Sequence, residues 1–457
     1  MLVAGQPTMH RRGKNSDQKH QPLIYPRKKR SFSRSDQKME PTEKKKTSSF
    51  MNERTRRYII YLVIFMGMIA IMDQYLSFIE TTAIPNILRE YSVTDAQYSW
   101  WKVLYFIPTF LIFLLNGLTD IIGRKNSLLI LIVLFGCASL GIVYATPSFH
   151  LYMVFFAIIT FATVSNMWAI PISEEAPAEK RAKYVSIVYF ISLIPLQAII
   201  PPILVRLGLS WKWMYGVMFL FMIPVLLMWL FMKETKRYEM IKEERRLGIR
   251  KKHFYGLGVI NRSDMKYILF SAVIWMCWLI VSMLVVWAGH FFMDIHGYTL
   301  DQWSLTLLGS LLLMMAGAIL GGWTMDKMGR KTGLLIGCAG LGLFVGLIGL
   351  TPASVARFIT MIAGFFLGFS YTWIIVYIPE IFPTDRRGSA MGWTTTLARV
   401  SYVVGPAFAA IMLTASPTME WFWVVGGLLM IVPIILVFLF HPYETKIKEL
   451  EEIEEQR

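Results

Sequence analysis

Apolar residues in this chain come in long unbroken runs, not in the strict alternation of strands or the one-sided stripes of surface helices. Twelve runs stand out, over about 58–80, 98–119, 127–146, 149–172, 184–206, 212–232, 267–291, 302–325, 332–351, 355–378, 389–414 and 420–440. Residues 126–173 hold no Asp, Glu, Lys or Arg across 48 positions. A bilayer core of about 30 Å takes about 20 apolar residues per helix, so this stretch alone predicts two spans and a turn. Backbone groups in lipid must be satisfied within the segment, which makes such runs helices. Pro195, Pro201, Pro202, Gly405 and Pro406 fall inside runs, where membrane helices tolerate them. The first run is interrupted by Asp73 and the eleventh by Arg399. The pattern predicts an all-α, multi-pass membrane protein with 12 transmembrane helices, placed in the cell membrane.

Composition excludes the other classes. Of 457 residues, 55% are hydrophobic and only 17% charged. A soluble chain could not hide that much apolar surface. The three cysteines, Cys137, Cys277 and Cys338, lie in apolar runs without paired metal-ligand spacing, so neither disulfides nor zinc are expected. No short apolar core with a small-residue cleavage site opens the chain, and no cleaved signal peptide is read.

Charge then orients the spans. Residues 1–57 carry 16 of the 46 Lys and Arg against 5 acids, so the net +16 belongs mostly to a tail. With the N-terminus inside, 40 of the 46 basic residues fall on the cytoplasmic side; the rest are Arg89, Lys102, Arg206, Lys212, Arg357 and Arg399. Both termini are therefore predicted cytoplasmic. The tail is too polar to fold. It reads as a solvated topogenic arm or as a basic segment that docks on anionic lipid. No nucleic-acid-binding fold accompanies its charge.

An internal repeat organises the chain. Asp120-Ile-Ile-Gly123-Arg124-Lys125 recurs as Asp326-Lys-Met-Gly329-Arg330-Lys331, and Glu174-x-x-Pro177-x-x-x-Arg181 recurs as Glu380-x-x-Pro383-x-x-x-Arg387, all displaced by 206 positions. Glu234-Thr235-Lys236 echoes Glu444-Thr445-Lys446 at a displacement of 210. The expected organisation is a basic tail (1–57), a six-helix half (58–232), a cytoplasmic linker (233–266), a second six-helix half (267–440) and a short tail (441–457). The motif charges sit at cytoplasmic helix ends, where they can pair across the bundle. Partly exposed pairs of this kind are worth about 0–1 kcal/mol each, a useful size for a latch. The plainer alternative is that they only fix topology.

These motifs resemble those of the major facilitator superfamily (MFS). The D-x-x-G-R-K pair resembles its signature after helices 2 and 8. The E-x-x-P-x-x-x-R and E-T-K elements, with Tyr377-Ile-Pro-Glu-Ile-Phe-Pro-Thr-Asp-Arg-Arg-Gly, are similar to the sugar-porter branch and its organic-ion, synaptic-vesicle-type and aromatic-acid/proton symporter relatives. The resemblance covers about residues 58–446. It implies the MFS fold of two six-helix repeats, and secondary transport by alternating access around a site between them. One signature glycine is replaced by Asn116, whereas Gly322 keeps its counterpart.

Helices 7 and 4 lack the amides and the arginine of hexose-recognising members, and Asn166 and Gln197 are few partners for a sugar. Helix 11, Gly392-Trp393-Thr-Thr-Thr-Leu397-Ala398-Arg399-Val400-Ser-Tyr402-Val-Val-Gly405-Pro406, resembles that of the organic-ion relatives, whose arginine meets an anionic substrate. Helix 1, with Met72-Asp73-Gln74-Tyr75-Leu76 and Pro85, resembles the opening of aromatic-acid/proton symporters, except that Leu76 replaces their second acid.

Charge inside a span costs about 2.5–3.5 kcal/mol on insertion scales and usually faces a cavity with a partner. Asp73, Ser77 and Glu80 share one helix face. Asp73, with Glu80 in reserve, is the proton-coupling candidate; Glu80 could equally meet Lys102. Arg399 is the substrate-binding candidate, with Asn166, Gln197, Trp278 and Tyr371 around it; Trp275, Trp373 and Tyr377 are further pocket aromatics or plain packing. Asp120, Arg124, Glu174, Arg181, Asp326, Arg330, Glu380 and Arg387 form the candidate cytoplasmic gate.

The expected function is a secondary active transporter of a small organic solute, a proton-coupled symporter of an organic anion. A sugar transporter of the same fold and a non-transporting membrane sensor are the alternatives. No catalytic cluster or nucleotide loop is present, so an enzyme is not expected. The expected partners are a small-molecule substrate and the bilayer, without nucleic acid. The protein is expected to act as a monomer with no cofactor but an ion gradient, of protons.

Overall fold

The computed structural model describes residues 56–112, 115, 119, 121–165, 167–176, 181–247, 262–382 and 387–444. Residues 53–457 form one compact unit, and 1–52 belong to another. Among the described residues the regular structure is helical throughout, without a strand. Ten helices among them are long and apolar enough to cross a membrane. The second and fourth of the twelve expected segments are represented by shorter helices.

The first six segments contain α1 (Arg56–Phe78), α2 (Glu80–Tyr91), α3 (Asp95–Phe106), α4 (Arg124–Tyr144), α5 (Phe149–Thr163), α6 (Ala169–Glu175), α7 (Arg181–Ser192), α8 (Leu196–Arg206) and α9 (Trp213–Phe231). A short α10 (Lys236–Arg246) lies in the expected linker. The last six contain α11 (Arg262–Val285), α12 (Ala288–His290), α13 (Leu300–Met328), α14 (Arg330–Leu350), α15 (Ala353–Glu380), α16 (Arg387–Ala398), α17 (Ser401–Ala415), α18 (Glu420–Leu428) and α19 (Ile431–Phe440). Several spans are thus pairs of helices joined at a break. The first was expected to stop at 80 but continues through α2 to Tyr91. The charge of Glu80 marked an end in the sequence, and in the structure it is neutralised by Lys102.

Within the first set α4 packs on α9 and α1 on α7; within the second, α13 and α14 pack on α15 and α14 on α18. The two sets meet along α3–α17, α8–α13 and α2–α12. The α2–α12 approach has a backbone cause. Pro85 has no N–H to donate to the Thr81 carbonyl one turn earlier. Gly289 lies against that carbonyl, and a Cβ there would come within 1.7 Å of its oxygen. Only glycine permits the contact.

Call the end that carries the repeated loops the motif end and the opposite one the far end. At the far end the two sets are joined by charge as well. The His290 ring lies 3.0 Å from Asp95 and 2.8 Å from Asp294, Arg89 reaches Asp294 at 3.4 Å, and Arg206 reaches Asp301 at 3.2 Å. Trp303 donates from Nε1 to the Thr82 hydroxyl at 3.1 Å.

At the motif end the repeat in sequence becomes a repeat in structure. Gly123 and Gly329 adopt φ of +96° and +98° immediately before α4 and α14. This conformation suits glycine. It turns the first N–H groups of each helix toward a carboxylate. Glu234 accepts from the Arg124 N–H at 2.9 Å, and Glu444 accepts from the Arg330 N–H at 2.7 Å. Arg124 pairs with Glu174 at 2.8 Å; Arg330 pairs with Glu380 at 3.1 Å and with Asp326 at 2.7 Å. Two expectations need correction. These pairs join helices of the same six-helix set, not opposite sets. The Arg124–Glu174 pair is also buried, at 7% and 9% exposure, because α6 and the Glu234 turn close over it. Asp120 lies outside the described residues, as do the side chains of Arg181 and Arg387.

Candidate functional site

Helix breaks at Ile79, after Thr163, at Val286–Trp287 and at Arg399–Val400 border one cavity. Broken helices expose backbone carbonyls and tolerate polar side chains, which is why transporter sites form on them. The cavity, of about 170 Å³, is lined by Asp73, Ser77 and Glu80 of the first span, Lys102 and Phe106 of α3, Phe156 of α5, Trp275 and Trp278 of α11, Tyr371 of α15, and Arg399 and Tyr402 near the last break. Both acids of helix 1 and the arginine of helix 11 thus meet in one space.

Arg399 is 4% exposed. It cannot escape burial by losing its proton. One terminal nitrogen donates to the Val164 carbonyl at 2.7 Å. That carbonyl belongs to the first residue past α5, at the break before α6. The other terminal nitrogen lies 3.5 Å from the Tyr402 hydroxyl, a weak contact. Its Nε has no hydrogen-bond partner among the described residues, and neither does Nε1 of Trp275, whose ring sits 5.9 Å from the guanidinium. A buried, unsatisfied donor costs about 1–3 kcal/mol, more on a charged group. Two such donors, on residues that line one cavity, invite an acceptor from outside the protein.

Asp73 does not close this gap. Its Oδ2 accepts from Trp168 Nε1 at 2.5 Å, and no direct Asp73–Arg399 ion pair forms. Val164 and Trp168, between α5 and α6, therefore hold the two groups, Arg399 through a carbonyl and Asp73 through an indole. Sequence reasoning missed Trp168 and Val164, because a helix break in an uncharged apolar run leaves no composition signal.

At the other pole, Lys102 Nζ donates to Glu80 at 2.6 Å, and Tyr98 donates to the same oxygen at 2.9 Å. The ammonium also lies 5.3–5.7 Å from the Phe106, Phe156 and Tyr98 ring centres, within cation–π range. Behind Tyr98, the Tyr152 and Tyr215 hydroxyls continue a hydrogen-bonded row at 3.5 and 3.2 Å.

Other sequence candidates divide. Trp278 stacks on Tyr371 at 4.8 Å, and both line the cavity. Trp373 and Tyr377 are buried packing residues, with the Tyr377 hydroxyl on the Tyr443 carbonyl. Gln197 is buried in α8 and is not part of the cavity lining. Asn166 lies outside the described residues.

Known proteins share this architecture. The xylose transporter XylE from E. coli, solved inward-open, superposes with a TM-score of 0.70 over 87% of this chain and 100% of its own, at 19% identity. A glucose transporter, GlcP, from Staphylococcus epidermidis is 25% identical over 74% of this chain and 83% of its own. A cis,cis-muconate transport protein from Acinetobacter baylyi is 28% identical over 29% of this chain and 32% of its own. The chain spans only about a third of the length of the first curated relatives it matches. The family model of the Major Facilitator Superfamily matches residues 63–398 and 291–457. With its repeated motif loops, broken helices and central cavity, the chain belongs to the Major Facilitator Superfamily, a family of membrane transporters.

Proposed function

We propose that this transporter is a proton-coupled symporter of a small organic anion, and that Arg399 binds the substrate carboxylate. One observation carries the reading: Arg399 and Trp275 both line the cavity, and among the described residues neither the Arg399 Nε nor the Trp275 indole N–H has a hydrogen-bond partner. A carboxylate offers two acceptor oxygens in the geometry the guanidinium fork prefers. The relative named for cis,cis-muconate transport supports an anionic substrate. Asp73 is the proton carrier in this scheme. It lies in the same cavity, on the opposite set of helices from Arg399, so the rocking of one set against the other changes what both face.

The sugar reading has its own support, the long match to the glucose transporter. The two readings separate in one experiment. Radiolabelled monocarboxylates, aromatic acids and sugars are offered to proteoliposomes with and without a pH gradient. The anion reading expects uptake of an acid, driven by the gradient and lost in Arg399→Ala. Asp73→Asn should abolish accumulation against a gradient while leaving exchange of labelled for unlabelled acid. Sugar uptake that survives Arg399→Ala would overturn it. Arg399→Lys should weaken acid affinity by tenfold or more, about 1.4 kcal/mol, because an ammonium cannot reproduce the fork.

A further inference from the structure

The cavity has a second cationic pole, which the Arg399 reading leaves unused. Lys102 belongs to α3 of the first helix set, and Arg399 to the second set; both line the same space. Each has an acid of helix 1 near it, Glu80 at Lys102 and Asp73 at the Arg399 pole. Asp73 and Glu80 are seven residues apart, with the break at Ile79 between them. The rest of the lining is mixed, with Leu279, Met283 and Tyr371 beside the hydroxyls of Ser77 and Ser282.

Two features set the Lys102–Glu80 pair apart from a packing salt bridge. Though its hydrogen-bonding and ring neighbours belong to the first helix set, both of its residues also line the cavity. Among the described residues the ammonium also has a single hydrogen-bond acceptor, Glu80, where it carries three donors; ring faces lie near it as well. When Glu80 takes a proton, Lys102 is left as a desolvated cation in the cavity wall, and a buried charge without its partner is costly. A second carboxylate entering from the cavity would restore the pair.

We propose that the substrate is a dicarboxylate, held by Arg399 at one end and by Lys102 at the other, with its second carboxylate taking the place of Glu80 on Lys102. This rests on the Arg399 reading and extends it. The exchange balances in charge: Glu80 gains one proton from the medium, forming a carboxyl O–H, and one substrate carboxylate replaces the one it withdraws. The groups facing Glu80 are Lys102 and Tyr98 of α3, with Tyr152 of α5 and Tyr215 of α9 behind. No acid other than Glu80 pairs with Lys102 among the described residues. Spanning both helix sets, such a substrate would tie together the two bodies that must move.

The test is calorimetric titration of the purified full-length protein at one mildly acidic pH. Its probes are succinate, adipate and suberate, each beside the monocarboxylate of equal chain length. The wild type should bind at least one diacid tenfold or more tighter than its monoacid. Glu80→Gln should raise that ratio further, because the competing carboxylate is gone. Glu80→Gln combined with Lys102→Gln removes both charges, leaves no lone buried ion to unfold the protein, and should bring the ratio to about one. Equal binding of diacids and monoacids in all three proteins would overturn the second pole and leave the Arg399 reading standing. A ratio that survives the double variant would overturn the role of Lys102. Failure of every acid to bind the wild type would remove the Arg399 reading and this inference with it.

Discussion

At the scale of single residues, the cavity is organised by what buried charges lack. Arg399 could have been a structural cation matched by Asp73, but the two are held separately, by the Val164 carbonyl and the Trp168 indole. Trp168→Phe keeps the ring and removes the donor. It should leave acid binding within about threefold but lower gradient-driven accumulation several-fold, since Asp73 would lose the bond that orients it. Proteoliposome uptake compared with exchange reads the difference; unchanged accumulation would remove Trp168 from the mechanism. Asp73, Glu80 and Arg399 were legible in the sequence because charge in an apolar run is costly and therefore conspicuous. Trp168 was not, since a tryptophan in an apolar run is ordinary until a helix break turns its N–H toward a carboxylate. Gln197 failed for the converse reason: polarity alone does not say which face of a bent helix it occupies.

Helix ends carry the next level. The E-T-K echo looked like a flanking charge pattern, but Glu234 and Glu444 cap the helices that begin at Arg124 and Arg330. A carboxylate on free N–H groups at the positive end of a helix is stabilising. Glu444→Gln should therefore lower stability by about 1 kcal/mol, seen as a drop of a few degrees in thermal unfolding in detergent. Arg124→Gln should cost more, about 3–5 kcal/mol, because it leaves Glu174 buried without its pair. Equal, negligible effects from both would contradict the burial that the structure gives the first pair. The repeat itself was readable from the 206-residue offset. Its pairing within each six-helix set was not, because spacing along the chain does not show which neighbouring helix closes over an end.

Over the whole molecule, contacts between the two helix sets gather at the far end, among them Gly289 against the Thr81 carbonyl. Gly289→Leu should prevent that approach and shift the population toward a state open at the far end. A cysteine placed at Ser282, in the cavity wall, would then react several-fold faster with a membrane-impermeant thiol reagent added from that side; unchanged reactivity would mean that the contact does not govern closure. The family fold was legible from twelve apolar runs and a duplicated motif. The cavity was not, because it depends on where the spans break, and Ile79, Val164 and Val400 carry no sequence mark of a break. The central claim, that Arg399 takes a substrate carboxylate, is tested most directly by intrinsic fluorescence, since Trp275 and Trp278 both line the cavity. Small carboxylic acids, each with its neutral amide, and glucose are titrated into wild type and Arg399→Ala. The account predicts saturable quenching by an acid and not by its amide or by glucose, lost in Arg399→Ala. Equal quenching by acid and amide, or saturation by glucose that persists in Arg399→Ala, would contradict it.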